Sequence, residues 1–160
     1  DYLTDMSDII MEDGGTVDKY EGDAIVAFWN APLSQADHAA RACLAALRCQ
    51  RKLAERRQEF QERTGAELFM RIGLHTGDLV RTEDDVLGGV VNKAARIAAA
   101  AAPGEIRLSE ATRLMAGEAQ GLAFDDPVRV ALKGFEGEHA LHRLVWRGPE
   151  AAQEAAACDA

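Results

Sequence analysis

Residues 85–96 read Asp-Val-Leu-Gly-Gly-Val-Val-Asn-Lys-Ala-Ala-Arg, and the neighbouring elements can be placed by working outward from this stretch. Its glycine pair breaks the chain before a predicted helix at about 90–102, which a Pro-Gly pair ends ahead of a short predicted strand at 105–108. Asn92 and Arg96 are four residues apart, so on this helix they project from one face. One amide and one guanidinium then share a surface, and the glycines permit close approach of the backbone to a ligand.

The remaining chain alternates predicted helices with predicted β-hairpins. The expected elements are an opening helix at 1–13, a hairpin of 16–20 with 24–29, a long amphipathic helix at 35–63, a second hairpin of 68–75 with 78–80, a small helix starting at Ser109, and a last hairpin of 128–132 with 140–146. This order predicts an α+β fold built on one mixed, mostly antiparallel sheet with helices packed on one face.

Composition and charge limit the function classes. The 160 residues, 48% of them hydrophobic, fit one globular domain. A formal net charge of −9 argues against nucleic-acid binding, which depends on clustered positive charge. No apolar run approaches the roughly 20 residues of a membrane span and no signal peptide is evident, so we expect a cytoplasmic domain. Cys43, Cys49 and Cys158 lack metal-site spacing and are expected to be reduced thiols.

Several other polar residues have local patterns that suit phosphate or metal chemistry. A carboxylate in a hairpin turn, such as Asp23, can reach Mg²⁺, which prefers one or two carboxylates with water and substrate phosphates. Arg71, within Met70–Gly77, and Lys133, within Leu132-Lys133-Gly134, add cations from distant parts of the chain. Taken singly, each of these residues would be an ordinary turn residue or a solvated charge.

Six motifs in series resemble the catalytic domain of the class III nucleotide cyclases. In chain order they are Gly-Gly-x-Val-x-Lys-x-x-Gly-Asp-Ala, Asp-His-Ala-x-Arg-Ala, Arg-Ile-Gly-Leu-His-Thr-Gly, Asp-x-x-Gly-x-x-Val-Asn-x-Ala-Ala-Arg, Pro-Gly-Glu-Ile-x-Leu-Ser and Leu-Lys-Gly. The resemblance covers about residues 1–146 and is strongest to adenylate cyclases. It implies a ferredoxin-like sheet, with a cyclase domain at 1–147 and a disordered tail at 148–160.

The resemblance also implies a reaction and a site. Such domains convert ATP into 3′,5′-cyclic AMP and pyrophosphate with two Mg²⁺ or Mn²⁺ ions per site, as head-to-tail homodimers whose sites combine residues of both subunits. The matching residues are Asp23 as a metal ligand, Arg71 on the triphosphate, Lys19 and Asp85 on the purine, Asn92 on the ribose, Arg96 on the transition state and Lys133 on the terminal phosphates.

The expected purine-reading pair favours ATP over GTP. Adenine presents an N1 acceptor and an N6 donor, which an ammonium from Lys19 and a carboxylate from Asp85 satisfy, whereas guanine has the reverse polarity. Guanylate enzymes also usually carry Glu at the position of Lys19. A guanylate cyclase and a catalytically inactive regulatory domain stay as alternatives. His75 is a candidate general base by residue type alone, and such a strand-end histidine is more often structural.

The sequence departs from the family at its first strand. Family members begin with a strand carrying Phe-x-Asp, whose aspartate is the first metal ligand, and this chain starts after that strand. Asp23 is therefore one metal carboxylate where two are required. Either the parent protein supplies the other from an upstream segment, which we expect, or this form is inactive. The chain as given is expected to be inactive without that strand.

Overall fold

The computed structural model describes residues 2–31, 33–65, 67–77, 80–81, 86–87, 89–119 and 121–146. Its helices are α1 (Tyr2–Glu12), α2 (His38–Thr64), α3 (Gly89–Ala100) and α4 (Glu110–Ala116). Its strands are β1 (Thr16–Glu21), β2 (Ala24–Phe28), β3 (Ile72–Leu74), β4 (Val80–Arg81), β5 (Val86–Leu87), β6 (Ile106–Ser109), β7 (Val128–Ala131) and β8 (Glu138–Arg143). The predicted tail at 148–160 lies outside the described residues.

The helix ends follow the punctuation of the sequence. Helix α2 ends at Gly65, which takes the left-handed conformation (φ 76°) and donates its backbone N–H to the carbonyl of Gln61. Helix α4 begins at Ser109, whose side chain accepts a hydrogen bond from the backbone N–H of Thr112. The opening helix, the long helix and the small helix that starts at Ser109 are therefore confirmed.

The first hairpin is confirmed, and it contains an irregularity that the sequence did not reveal. Strands β1 and β2 pair antiparallel around Gly22, which has a φ of 60°. The register shifts between Val17 and Lys19, so Asp18 is an extra residue in β1. Beyond this bulge, Lys19 lies opposite Val26, so the side chains that follow Asp18 are shifted by one residue in their alternation between the two faces of the hairpin.

The predicted second hairpin, 68–75 with 78–80, is described only in part. The main sheet has the order β3-β6-β8-β7, in which β3 pairs in parallel with β6 and the other two pairings are antiparallel. Strand β4 pairs with β5, not with β3, and residues 78–79 lie outside the described residues. Parallel pairing places Ile72 and Leu74 beside the fully buried Ile106 and Leu108. The alternating pattern correctly gave a strand, but alternation alone does not identify the partner.

The helices cover both faces of the main sheet. Helices α2 and α4 pack with Ile106 and Leu108 in one hydrophobic cluster. Helix α3 covers the opposite face, where Gly73 of β3 touches it. The α+β class and the mixed, mostly antiparallel pairing are confirmed. Among the described residues, the strands form three separate sheets instead of the expected single sheet, and α3 departs from the expected one-sided packing. In the part of the chain that the structure describes, no helix combines the length and apolarity needed to cross a membrane.

Candidate active site

Helix α3 presents the Asn-Arg pair to solvent. Ile97 is fully buried (0% exposed), whereas Asn92 and Arg96 are both exposed. Arg96 directly precedes Ile97 and Asn92 directly precedes Lys93, so each exposed site residue is followed by one that faces the domain. The structure confirms that Asn92 and Arg96 share an exposed face of one helix.

The position of α3 on the sheet depends on a glycine. A Cβ added to Gly73 would lie 2.3 Å from the backbone nitrogen of Ala98 and 2.4 Å from the carbonyl oxygen of Ala94. Only a residue without a side chain lets the helix backbone approach β3 so closely. Gly73 is therefore a structural determinant of the site that sequence analysis treated only as part of a motif.

The turn between β7 and β8 carries Lys133. The backbone N–H of Phe135 donates to the carbonyl of Leu132 (3.0 Å), and Gly134 has a φ of 86°, so the chain turns tightly. Lys133 is exposed at this turn. Leu132 is buried in one cluster with Ile97 of α3, and Phe135 packs against it. The structure thus brings the turn of Lys133 against the helix of Asn92 and Arg96.

The β1–β2 hairpin carries Asp23 and Lys19. Asp23 is exposed beside the turn. The side chain of Lys19 is 30% exposed, and its Nζ lies 3.7 Å from a carboxylate oxygen of Asp18 and 3.9 Å from one of Glu21. The hydroxyl of Tyr20 lies 2.6 Å from the Oγ of Ser7 and so ties the hairpin to α1. The hairpin belongs to a second hydrophobic cluster, formed mainly with α1 and α2.

Arg71 is anchored on the same side as this hairpin. It is exposed, while its neighbours Met70 and Ile72 pack against the cluster of the hairpin. The predicted site residues of the described chain therefore form two groups. Arg71 and the hairpin residues Lys19 and Asp23 lie on segments that pack on one hydrophobic cluster. Asn92, Arg96 and Lys133 lie on segments that pack on another. The remaining member, Asp85, lies outside the described residues.

His75 belongs to a hydrogen-bonded network. Its Nδ1 lies 2.7 Å from the Oγ of Ser109, which in turn lies 3.2 Å from the Oγ1 of Thr112. Thr76 joins through its own Oγ1, 2.8 Å from that of Thr112. Burial, followed by the positive charges of Lys93 and His139, lowers the pKa of His75 below its ordinary value. These contacts support the structural interpretation of His75, which links the end of β3 to the start of α4.

Asp23 is the one residue predicted from the sequence to bind a metal. Asp23 is a hard, exposed oxygen donor, which suits Mg²⁺ or Mn²⁺. Within the described ranges, no group of three or more His, Cys, Asp or Glu side chains is placed to hold a metal. The donor set therefore fits a site that further oxygen ligands complete, as substrate phosphates and a second carboxylate would do.

This α+β fold is that of the nucleotide cyclase catalytic domains. The family model described as "Adenylate and Guanylate cyclase catalytic domain" matches residues 1–145, and the chain belongs to this family.

Curated relatives and solved structures agree with this membership. "Adenylate cyclase 1" of Rhizobium meliloti is 32% identical over 106 residues, which are 61% of this chain and 16% of the relative. The uncharacterized protein Rv2212 of Mycobacterium tuberculosis is 31% identical over 134 residues, which are 82% of this chain and 30% of the relative. The chain thus spans less than a third of the length of these relatives.

Two solved structures show the same fold. The guanylyl cyclase Cya2 aligns with a TM-score of 0.79 and 30% identity, covering 92% of this chain and 78% of that chain. The adenylyl cyclase CyaB from P. aeruginosa aligns with a TM-score of 0.80 and 26% identity, covering 92% of this chain and 80% of that chain.

Proposed function

We propose that this domain is an adenylate cyclase that converts ATP into 3′,5′-cyclic AMP and pyrophosphate for signalling in the cytoplasm. The observation that carries the proposal is the exposed pair Asn92 and Arg96 on α3, the helix whose buried Ile97 packs in one cluster with Leu132 beside Lys133. An amide and two cations facing solvent from adjoining elements suit a substrate with a ribose and a triphosphate. The similarity to Adenylate cyclase 1 of Rhizobium meliloti supports ATP as that substrate.

The reaction is the attack of the ribose 3′-oxygen on the α-phosphorus, with pyrophosphate as the leaving group. Asn92 orients the ribose by hydrogen bonding, which aligns its 3′-oxygen with the bond that breaks. Arg96 faces the α-phosphoryl oxygens and stabilises the negative charge that grows on them in the transition state. Lys133 holds the terminal phosphates and Arg71 contacts the triphosphate, and both contacts favour departure of pyrophosphate.

Asp23 would be one ligand of two Mg²⁺ or Mn²⁺ ions per site. When bound, such ions activate the attacking oxygen and neutralise charge on the leaving group. The exposed turn of Asp23 leaves its carboxylate accessible to substrate phosphates. A second carboxylate, expected on a strand that precedes Asp1 in the parent protein, would complete the set.

The proposal includes a homodimer with composite sites. Asp23 and Arg71 lie on segments that pack on one hydrophobic cluster, whereas Asn92, Arg96 and Lys133 lie on α3 and on the β7–β8 turn, which pack on another. A head-to-tail dimer would let the metal side of one subunit meet the transition-state side of the other. Dimerisation that is required for turnover is checked by mixing an Asp23→Asn variant with an Arg96→Ala variant, because one of the two sites in a mixed dimer then regains every residue.

Base recognition is assigned to Lys19 with Asp85. The carboxylates of Asp18 and Glu21 lie near the ammonium of Lys19 and hold it close to the turn, which suits a donor to adenine N1. The role of Asp85 stays a prediction. Combined Lys19→Glu and Asp85→Cys substitution is expected to move the preference between ATP and GTP by at least about tenfold toward GTP, since a mispaired base leaves buried polar groups unsatisfied.

The test compares kcat/KM for the two nucleotides in wild type, in this double variant and in Arg63→Gln. Arg63 is an exposed cation at the end of α2, and its neutralisation changes the net charge by the same single unit as the double variant, so it controls for charge alone. Selectivity for ATP that stays unchanged in the double variant would refute the assignment of the pair.

Guanylate cyclase is the second candidate, and the 30% identity to the guanylyl cyclase Cya2 favours it. The deciding experiment first asks whether Phe-x-Asp precedes Asp1 in the parent protein. The protein with that segment is then incubated with ATP or GTP and with Mg²⁺ or Mn²⁺. Cyclic AMP from ATP supports the proposal, and cyclic GTP product alone identifies a guanylate cyclase. Absence of both products from a dimeric preparation identifies an inactive regulatory domain.

A further inference from the structure

We infer that Lys93 and Phe135 are positioning residues for the cyclisation, because their contact keeps the Asn-Arg helix in register with the turn of Lys133. This inference rests on the proposed function, and neither residue was singled out by its sequence pattern. The two residues do not touch the substrate in this assignment. They act through Arg96 and Lys133.

The helix contributes two anchoring residues that alternate with the site residues. Lys93 follows Asn92, and Ile97 follows Arg96. The two anchoring residues therefore share one face of the helix, which lies next to the face of the exposed pair. Ile97 is fully buried and Lys93 is half-buried. Rotation or sliding of α3 would therefore move Asn92 and Arg96 together with these anchors.

The turn contributes two anchors that bracket the exposed lysine. Leu132 is buried (3% exposed), and Phe135 is half-buried. The hydrogen bond from the N–H of Phe135 to the carbonyl of Leu132 closes the turn between them. Lys133 sits inside this closed turn, so its backbone position is fixed by the packing of the two flanking side chains.

The two sets of anchors meet. Leu132 lies in one hydrophobic cluster with Ile97 and Leu141, and the ring of Phe135 packs against that cluster. The Nζ of Lys93 lies 6.0 Å from the centroid of the Phe135 ring, within the range of a cation–π contact. The ring of His139 meets Phe135 edge-on, with centroids 6.3 Å apart and planes at 87°. Phe135 is thus held between the helix and His139 of strand β8, which follows the turn.

This arrangement fixes the relation between two elements whose side chains must act on opposite ends of one triphosphate. Displacement of a catalytic group by about 1 Å can lower a rate by roughly a hundredfold. Truncation of Phe135 removes the contact with Lys93 and part of the packing on the cluster. The expected consequence is a loss of alignment between Arg96 and Lys133 while both side chains are still present.

The test uses Phe135→Ala in the dimeric protein that includes the preceding strand, with ATP and Mn²⁺. We expect kcat to fall about tenfold with a smaller change in KM, because transition-state alignment is more demanding than ground-state binding. Phe135→Tyr, which keeps the ring, should restore kcat to within about twofold of wild type. Lys93→Met, which keeps an apolar stem, should show an intermediate kcat, and Lys93→Arg should show a higher kcat than Lys93→Met.

Phe124→Ala is the matched control. Phe124 also carries a cation over its ring, Arg113 at 4.3 Å, but it packs on the cluster of α2 and α4 instead of that of α3. We expect this control to lower the melting temperature and to leave kcat per folded enzyme within about twofold of wild type. An equal fall of kcat in both variants, or a wild-type kcat in Phe135→Ala, would overturn the inference.

A second measurement separates this inference from the proposed function. Amide hydrogen exchange in α3 should become about tenfold faster in Phe135→Ala than in wild type and stay unchanged in Phe124→Ala, since only the first loosens the helix. If the wild-type protein makes no cyclic nucleotide, the proposed function fails, whereas exchange still decides whether the contact fixes α3. Unchanged exchange in α3 of Phe135→Ala would overturn the inference independently of activity.

Discussion

Substitution of Gly73 by alanine gives the sharpest test of how α3 is seated. The added Cβ would lie 2.3 Å from the nitrogen of Ala98 and 2.4 Å from the oxygen of Ala94, and real Cβ atoms do not come so close to other atoms. Both obstacles are backbone atoms of a regular helix, so no change of side-chain rotamer relieves the overlap. The helix or the strand must shift.

The size of the effect follows from this geometry. Overpacking costs typically 1–3 kcal/mol, and because the clash here is with backbone we expect about 3 kcal/mol of lost stability. With an m-value of about 2 kcal/mol/M in urea, the unfolding midpoint should fall by about 1.5 M. The shift of α3 also moves Asn92 and Arg96, so cyclase activity of the folded fraction should fall by roughly a hundredfold.

The assay pairs urea unfolding, followed by circular dichroism, with nucleotide turnover. Gly89→Ala is the matched control, because Gly89 is the first residue of the same helix and nothing lies within 4 Å of its added Cβ. This control should be as stable as wild type or up to about 1 kcal/mol more stable, since alanine favours helices over glycine. A Gly73→Ala protein that unfolds at the wild-type urea concentration would refute the close seating of α3 on β3.

Two further predictions concern titratable groups whose pKa is shifted by burial. Burial raises the pKa of Cys43 and of Cys49 to about 12. In a Cys158→Ser background, a thiol reagent at pH 8 should therefore label neither thiol of the native protein and both thiols of the unfolded protein. Rapid labelling of the native protein would contradict this. Burial, and after it the charge of Lys93, lowers the pKa of His75 below its ordinary value of 6.5. On acidification through this range the unfolded chain binds more protons than the folded chain, so the free energy of unfolding falls. His75→Gln should therefore lose less unfolding free energy than wild type between pH 7 and pH 5, and parallel losses in urea titrations would count against it.

The sequence predicted the elements whose limits are set by local chemistry. Gly65 ends α2 because glycine takes the left-handed conformation at little cost, and Ser109 starts α4 because its hydroxyl accepts a backbone N–H. The shared face of Asn92 and Arg96 follows from helical spacing alone. Each of these inferences needs information from only a few neighbouring residues.

The partner of β3 could not be predicted in this way. Alternation along a strand shows which side chains share a face, but the choice between an antiparallel neighbour and the distant β6 depends on packing across the whole sheet. The bulge at Asp18 and the role of Gly73 were missed for the same reason, since a register shift and a helix crossing leave no local pattern. Asp85 was identified by its motif, and its place in the fold stays a prediction.

The cations of the candidate site follow one physical rule that explains how an acidic chain can receive a polyphosphate. Arg71, Arg96 and Lys133 are all exposed, yet each is joined directly to a residue packed on a hydrophobic cluster. Because each charge is exposed, the phosphates can replace the water around it. Because the neighbouring residue is packed, the charged side chain loses less conformational entropy on binding. The net charge of −9 therefore repels anions in general, whereas under the proposed function the three anchored cations would attract the phosphates of one ligand. On this reasoning, specificity for the substrate depends on the apolar anchors as much as on the charges, and substitutions at the anchors should change kcat without changing the net charge of the site.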